Sequence, residues 1–120
     1  MGATYAEVTI RPFNGTSKSY TQQFLVDTGA TDSIAPSVKL AQLGIKKVGA
    51  EAYELADGRV VTFDFGLAQI EVMGRITAGR IIFGPDDAEP ILGLVALESA
   101  ALKVNPQTQQ LEKLPAGMLK

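Results

Sequence analysis

Apolar and polar residues alternate from Thr4 to Arg11, with Val8 and Ile10 on one parity, so this segment is predicted as a half-buried strand. Pro12-Phe13-Asn14-Gly15 follows, and Asn-Gly is the strongest hairpin signal in the chain. A second strand, Ser19 to Val26, returns from that turn and ends in the apolar run Phe24-Leu25-Val26. Pro36 opens a short helical stretch with Val38, Leu40, Ala41 and Leu43 at mixed spacing, and Gly44 stops it.

The middle of the chain is richer in β signals. Tyr53-Glu54-Leu55 and Val60 to Phe63 flank Ala56-Asp57-Gly58-Arg59, a second hairpin with Asp-Gly at its tip. Phe63, Phe65 and Leu67 share one parity, whereas Ala68, Ile70 and Val72 take the other. That change of phase between Gly66 and Ala68 predicts a bulge or a sharp bend. Met73-Gly74-Arg75 reads as a turn, Ile76 to Phe83 as a strand, and Gly84 to Glu89 as an acidic loop. After Pro90-Ile91-Leu92-Gly93, the segment Leu94 to Leu102 has helical spacing and good helix formers. Asn105-Pro106 ends it, and Gln107 to Leu114 reads as a last short hairpin or strand. The sum is one mostly-β domain over residues 1–120, with short strands, one small helix and a helical turn.

Composition narrows what such a domain does. With 46% hydrophobic and 20% charged residues, the 120-residue chain is globular in character and suits one domain. A net charge of −2 argues against a nucleic-acid partner, and the adjacent pair Lys46-Lys47 reads as solvated loop. The apolar runs are too short for a membrane span. The segment MGATYAEVTI lacks the layout of a secretory signal, and Ala6 breaks the myristoylation pattern. The expected setting is cytoplasmic, or a soluble domain of a longer precursor. The chain has no histidine and no cysteine, which removes the Ser-His-Asp and Cys-His arrangements and the common zinc sites. Carboxylates, Lys and Tyr remain as acids and bases, and neither metal nor cofactor is expected.

Attention therefore falls on Asp27, which a buried-looking strand delivers into Thr28-Gly29. An Asp-initiated turn with a permissive glycine explains the triplet alone. The apolar feed from Phe24 to Val26 and the following Ala30 favour a carboxylate placed for chemistry.

Phe24-Leu25-Val26-Asp27-Thr28-Gly29-Ala30 resembles the active-site loop of retroviral-type (retropepsin-like) aspartic proteases and their bacterial relatives. The Asp57-Gly58 hairpin falls where that family carries its flap. Phe83-Gly84-Pro85 and Pro90 to Leu94, leading into a helix, continue the resemblance, which spans about Val8 to Leu102. It implies an all-β, retropepsin-like closed β-barrel or sandwich with one short C-terminal helix, forming one lobe of an acid-protease homodimer. A chain with one such loop supplies half a site, so two copies would each bring Asp27 to a two-fold axis. The implied activity is aspartic endopeptidase hydrolysis of a peptide or protein substrate, by water activated between the two carboxylates, with no metal. Thr28 would hydrogen-bond across to the partner loop. Gly29 would admit close backbone approach and place an N–H near the carboxylate, with Ala30 completing the loop.

The cleft expected from the resemblance takes in Thr31, Asp32, Leu55, Ala56, Asp57, Gly58, Arg59 and Ile91. The tip has only Gly58, so it is expected to be stiffer and more polar than retroviral flaps; an ordinary exposed hairpin is the alternative. Tyr53, near its base, either packs on the site or fills core or surface. Gly93 either lets its strand pack beneath the loop or simply opens the helix. Thr31 and Leu94 stand where retroviral chains commonly carry an acid and an Arg, so that loop-to-helix ion pair is expected to be missing. Asp32 is left either to touch substrate or to sit as a solvated loop acid. Leu111, Leu114, Pro115 and Met118 lie in a tail expected to build part of the dimer interface. A non-proteolytic dimerisation or peptide-binding module stays open as an alternative, and a carboxylate-pair glycosidase as a distant third.

Overall fold

A computed structural model describes residues 2–116. Strands β1 (Thr4–Arg11), β2 (Tyr20–Val26), β3 (Ser33–Pro36), β4 (Gly49–Glu54), β5 (Val60–Val72), β6 (Arg75–Gly84) and β7 (Ile91–Leu92) form one sheet in the order β1-β2-β7-β3-β6-β5-β4. Strand β1 also pairs β5, through Val8↔Val72 to Arg11↔Gln69, so the pairings return to their starting strand. Strand β4 stands outside this ring, hydrogen-bonded along one edge to β5. Helices α1 (Ser37–Gln42) and α2 (Leu94–Ser99) and a final hairpin, β8 (Leu102–Asn105) with β9 (Gln110–Lys113), complete the described residues. This is the all-β fold with short helices that the sequence predicts. None of the described helices is long and apolar enough to cross a membrane.

The core follows the alternation read along the strands. Val8, Ile10, Phe24, Ile70, Val72, Ile81 and Leu92 are all essentially buried and meet inside the ring. Leu40 closes it from α1, and Leu97 from α2. Helix α1 stops at Gly44 for a definite reason. Gly44 takes φ +78, its N–H donates to the Ala41 carbonyl at 2.9 Å, and Ile45 N–H donates to the Leu40 carbonyl at 3.1 Å. This is a Schellman closure, and Ile45 is buried with Leu40 as that motif favours. At the other end, the acidic loop supplies a missing cap: the Val38 N–H donates to Asp86 Oδ1 at 2.9 Å.

The strands around the Asn-Gly turn lie where expected, β1 ending at Arg11 and β2 beginning at Tyr20. Within the loop between them Asn14 folds back on Thr16 and donates to the Leu43 carbonyl, tying the loop to the end of α1. Other expectations need correction. The phase change near Gly66 involves no bulge: β5 pairs β6 in unbroken register from Phe65↔Ile82 to Val72↔Arg75. What changes is the covered face. The Ile45-Lys46 segment crosses at Gly66, where a Cβ would lie 2.6 Å from the Lys46 carbonyl oxygen. Beyond that crossing the even-numbered residues turn inward.

Helix α2 ends at Ser99, three residues before its expected end at Leu102. Ala101 turns left-handed at φ 56, and Arg75 donates to the carbonyls of Ala100 and Ala101 at 3.1 Å each, satisfying the helix end. Leu102 then starts β8. The tail also packs on its own chain. Leu111 is buried in this chain's own core, and the Leu114 N–H and carbonyl are bonded to Ala101 and Arg75. Pro115 is exposed, and Met118 lies outside the described residues.

Candidate active site

Strand β2 runs between β1 and β7 with Phe24 and Val26 pointing inward, so the chain reaches Asp27 from a fixed base. The Asp27 N–H donates to the Leu92 carbonyl at 3.0 Å, which extends the parallel β2–β7 pairing by one more link. The chain then turns sharply, with the Ala30 N–H donating to the Asp27 carbonyl at 3.1 Å. Within that turn the Gly29 N–H donates to Asp27 Oδ1 at 2.9 Å. A Cβ on Gly29 would sit 3.2 Å from the same oxygen, so the residue is small where the carboxylate needs room. Asp27 is half-buried, and its Oδ2 accepts no hydrogen bond from the described residues.

The loop is tied to α2 by its backbone. The Leu94 N–H donates to the Ala30 carbonyl at 2.7 Å, and the Val95 N–H to the Thr31 carbonyl at 3.1 Å. Loop and helix thus meet here through main-chain groups, Ala30 with Leu94 and Thr31 with Val95, without the acid–arginine pair of retroviral chains. Gly93 does both jobs considered for it. It opens α2, and a Cβ there would lie 2.6 Å from the Asp32 carbonyl carbon and oxygen. Its N–H donates to Ser33 Oγ at 3.0 Å, a fully buried hydroxyl with no local pattern to mark it.

A cleft of about 800 Å³ opens between this loop and the β4–β5 hairpin. Asp27, Gly29, Ala30, Thr31 and Asp32 line one side; Tyr53, Leu55 and Ala56 line the other, and Ile34, Ile82 and Ile91 form an apolar floor. Of the residues expected in the site, Thr28 is exposed at the loop edge, outside the lining. Asp57, Gly58 and Arg59 also stand outside it, at the hairpin tip. That tip is stitched together: Leu55 N–H donates to the Arg59 carbonyl at 2.7 Å, and Gly58 N–H to the Leu55 carbonyl at 2.9 Å. Arg59 adds a backbone bond and a side-chain bond to Asp57, which hold that carboxyl below the usual carboxylate range.

Asp32 is not a solvated loop acid. Its side chain is only 10% exposed, and Tyr53 Oη donates to Oδ2 at 2.6 Å. Arg80 Nη1 stands 4.0 Å from the same oxygen and 3.4 Å from Glu51 Oε1, with its guanidinium 4.3 Å from the Phe65 ring centre. The cause is register. Strands β3 and β6 are parallel with Ser33 opposite Ile81, so the preceding residues, Asp32 and Arg80, arrive side by side. No local pattern announces such a pairing, which is why Arg80 was not among the expected site residues. Tyr53 faces the site rather than serving as filler. Among the described residues, no cluster of three or more acidic side chains offers a metal site.

Burial, followed by the bond to Asp32, pushes the Tyr53 phenol up to about 12. Since the folded value is raised above the unfolded one near 10, the neutral phenol stabilises the fold below about pH 10. That contribution disappears as pH climbs through about 12. Phenolate absorbance of the native protein minus that of Tyr53→Phe should therefore titrate near pH 12. A difference curve centred near pH 10 would contradict the buried bond.

The family model described as aspartyl protease matches residues 6–96 of this chain, a stretch running from β1 into α2 and including every cleft residue named above. No curated protein matches it.

Proposed function

The chain belongs to the aspartyl protease family, and we propose that it acts as a homodimeric endopeptidase in which each of two copies supplies one Asp27. The observation that carries this reading is the half-buried Asp27 carboxylate, oriented through one oxygen by Gly29 on a residue that lines an open cleft. One chain holds one such carboxylate, and a two-fold axis beside the loop would bring two together. The exposed Thr28 hydroxyl is available to bond across that axis. Carboxylates that close share one proton, as those of aspartic proteases do.

In the proposed reaction, the ionised Asp27 takes a proton from a water whose oxygen attacks the peptide carbonyl carbon. The protonated Asp27 of the other copy donates its hydrogen bond to the carbonyl oxygen. A proton then passes to the peptide nitrogen, the C–N bond breaks, and the pair regains its starting charge. The apolar floor of Ile34, Ile82 and Ile91 and the overhanging β4–β5 hairpin suit an extended peptide with apolar side chains near the cut. Activity is expected to peak on the acidic side of neutral, where a carboxylate pair carries a single proton. Incubating the purified protein with a peptide library across pH and sequencing the products by mass spectrometry checks both points. Cleavage that stays constant up to alkaline pH would contradict the shared-proton mechanism. Binding of peptides with no product at any pH would favour instead a non-proteolytic peptide-binding module, a reading kept in view by the closed, single-glycine hairpin tip.

A further inference from the structure

Strand β4 is the last strand of its sheet. It pairs with β5 alone, from Gly49↔Phe65 to Glu54↔Val60, and its other edge has no strand partner among the described residues. Main-chain bonding to β5 therefore fixes where β4 lies along the sheet but not how far it stands from the loop across the cleft. That distance is bridged by side chains from two same-face positions of β4. Tyr53 reaches Asp32 directly, and Glu51 reaches it through Arg80.

The two ends of this bridge are unequal. Asp32 is anchored on both sides: α2 bonds to the preceding loop residues, Gly93 packs against the Asp32 carbonyl, and Ser33 begins a strand paired with β6. Apart from Tyr53 and the longer Glu51–Arg80 contact, the β4 end is held only through its hairpin. We propose that Tyr53 is a positioning residue, its hydroxyl latching strand β4 to Asp32 and so setting the height of the hairpin above Asp27. This builds on the protease reading by adding a residue that controls closure of the same cleft. The Tyr53 ring lies against Phe63, with centroids 6.3 Å apart, so losing the hydroxyl leaves the ring packed. Arg80 still balances the Asp32 charge, and the fold survives the change.

Without the latch, the hairpin samples raised positions, and a peptide must bind from the closed fraction alone. Apparent affinity then falls by that fraction, while the bound, closed complex reacts as before. Tyr53→Phe is expected to raise KM about tenfold, in keeping with loss of one hydrogen bond to a charged group, and to change kcat less than about threefold. Asp32→Ala should do the same. Asp32→Asn, which keeps an oxygen for the phenol, should recover most of the loss. The double variant Tyr53→Phe/Asp32→Ala should be little worse than either single one.

A second measurement needs no catalysis: amide hydrogen exchange of the native protein and Tyr53→Phe. Exchange at residues 50–54 should quicken while β1, β2 and β6 stay as they were. Unchanged exchange in β4, or a rise spread evenly over all strands, would overturn the latch. So would an active enzyme whose KM ignores both Tyr53→Phe and Asp32→Ala. A protein that cleaves nothing yet shows the local exchange change would sink the protease reading and leave the latch standing.

Discussion

Replacing Asp27 by Asn is expected to lower peptide cleavage by about 10⁴-fold or more, the upper end of what general acid–base catalysis supplies. Asparagine is nearly isosteric and keeps an oxygen for the Gly29 N–H, which the native carboxylate accepts at 2.9 Å. Melting temperature and oligomeric state should therefore stay close to those of the native protein. What disappears is the ability to take a proton from water and hand one on. Residual cleavage within tenfold of native, after removal of contaminating proteases, would exclude Asp27 from the chemistry. An unfolded variant would show up in the melt and would leave Asp27→Ser as the same test with a smaller side chain.

The second large effect is structural. Gly93→Ala would push a methyl to 2.6 Å from the carbonyl carbon and oxygen of Asp32 and 3.0 Å from that of Thr31. Those atoms are main chain, held on their other side by β3 and α2, so they cannot swing away as a side-chain tip would. Overpacking of this kind costs about 3 kcal/mol, and in a domain of this size the melting temperature is expected to fall by roughly 10 °C. Gly79→Ala is the matched control, since a Cβ there meets nothing within 4 Å. Thermal melts of both variants decide the matter. Equal melting temperatures would mean that Asp32 and its neighbours yield more easily than their hydrogen bonds suggest.

What the chain reveals before folding is what lies close together along it. Phe24 to Gly29 announces a strand feeding a carboxylate into a glycine turn, and the structure builds that turn within a few residues. The β4–β5 hairpin and the stop of α1 at Gly44 were legible for the same reason, because each depends on local turn chemistry. Contacts between distant segments were not. Arg80 meets Asp32 only because β3 and β6 run parallel in one particular register. Gly66 looked like a bulge because its crowding comes from Lys46, on a segment folded across it. The early end of α2 depends on Arg75, whose guanidinium arrives from the start of β6. In each case the sequence carried the right residue, and its partner was supplied by topology.

The pairing of β1 with β5 has a consequence in time rather than space. It joins Val8 to Val72 and Ile10 to Ile70, so the ring cannot seal until two stretches far apart in the chain have met. Ordering the long intervening segment costs entropy before the seam returns any contact energy, which makes such closures slow. Until then β1 and β5 present bare edges beside the side chains that later become the core, the arrangement most prone to pairing with a neighbouring molecule. Refolding yield should therefore fall as protein concentration rises, even under conditions where the finished fold is stable.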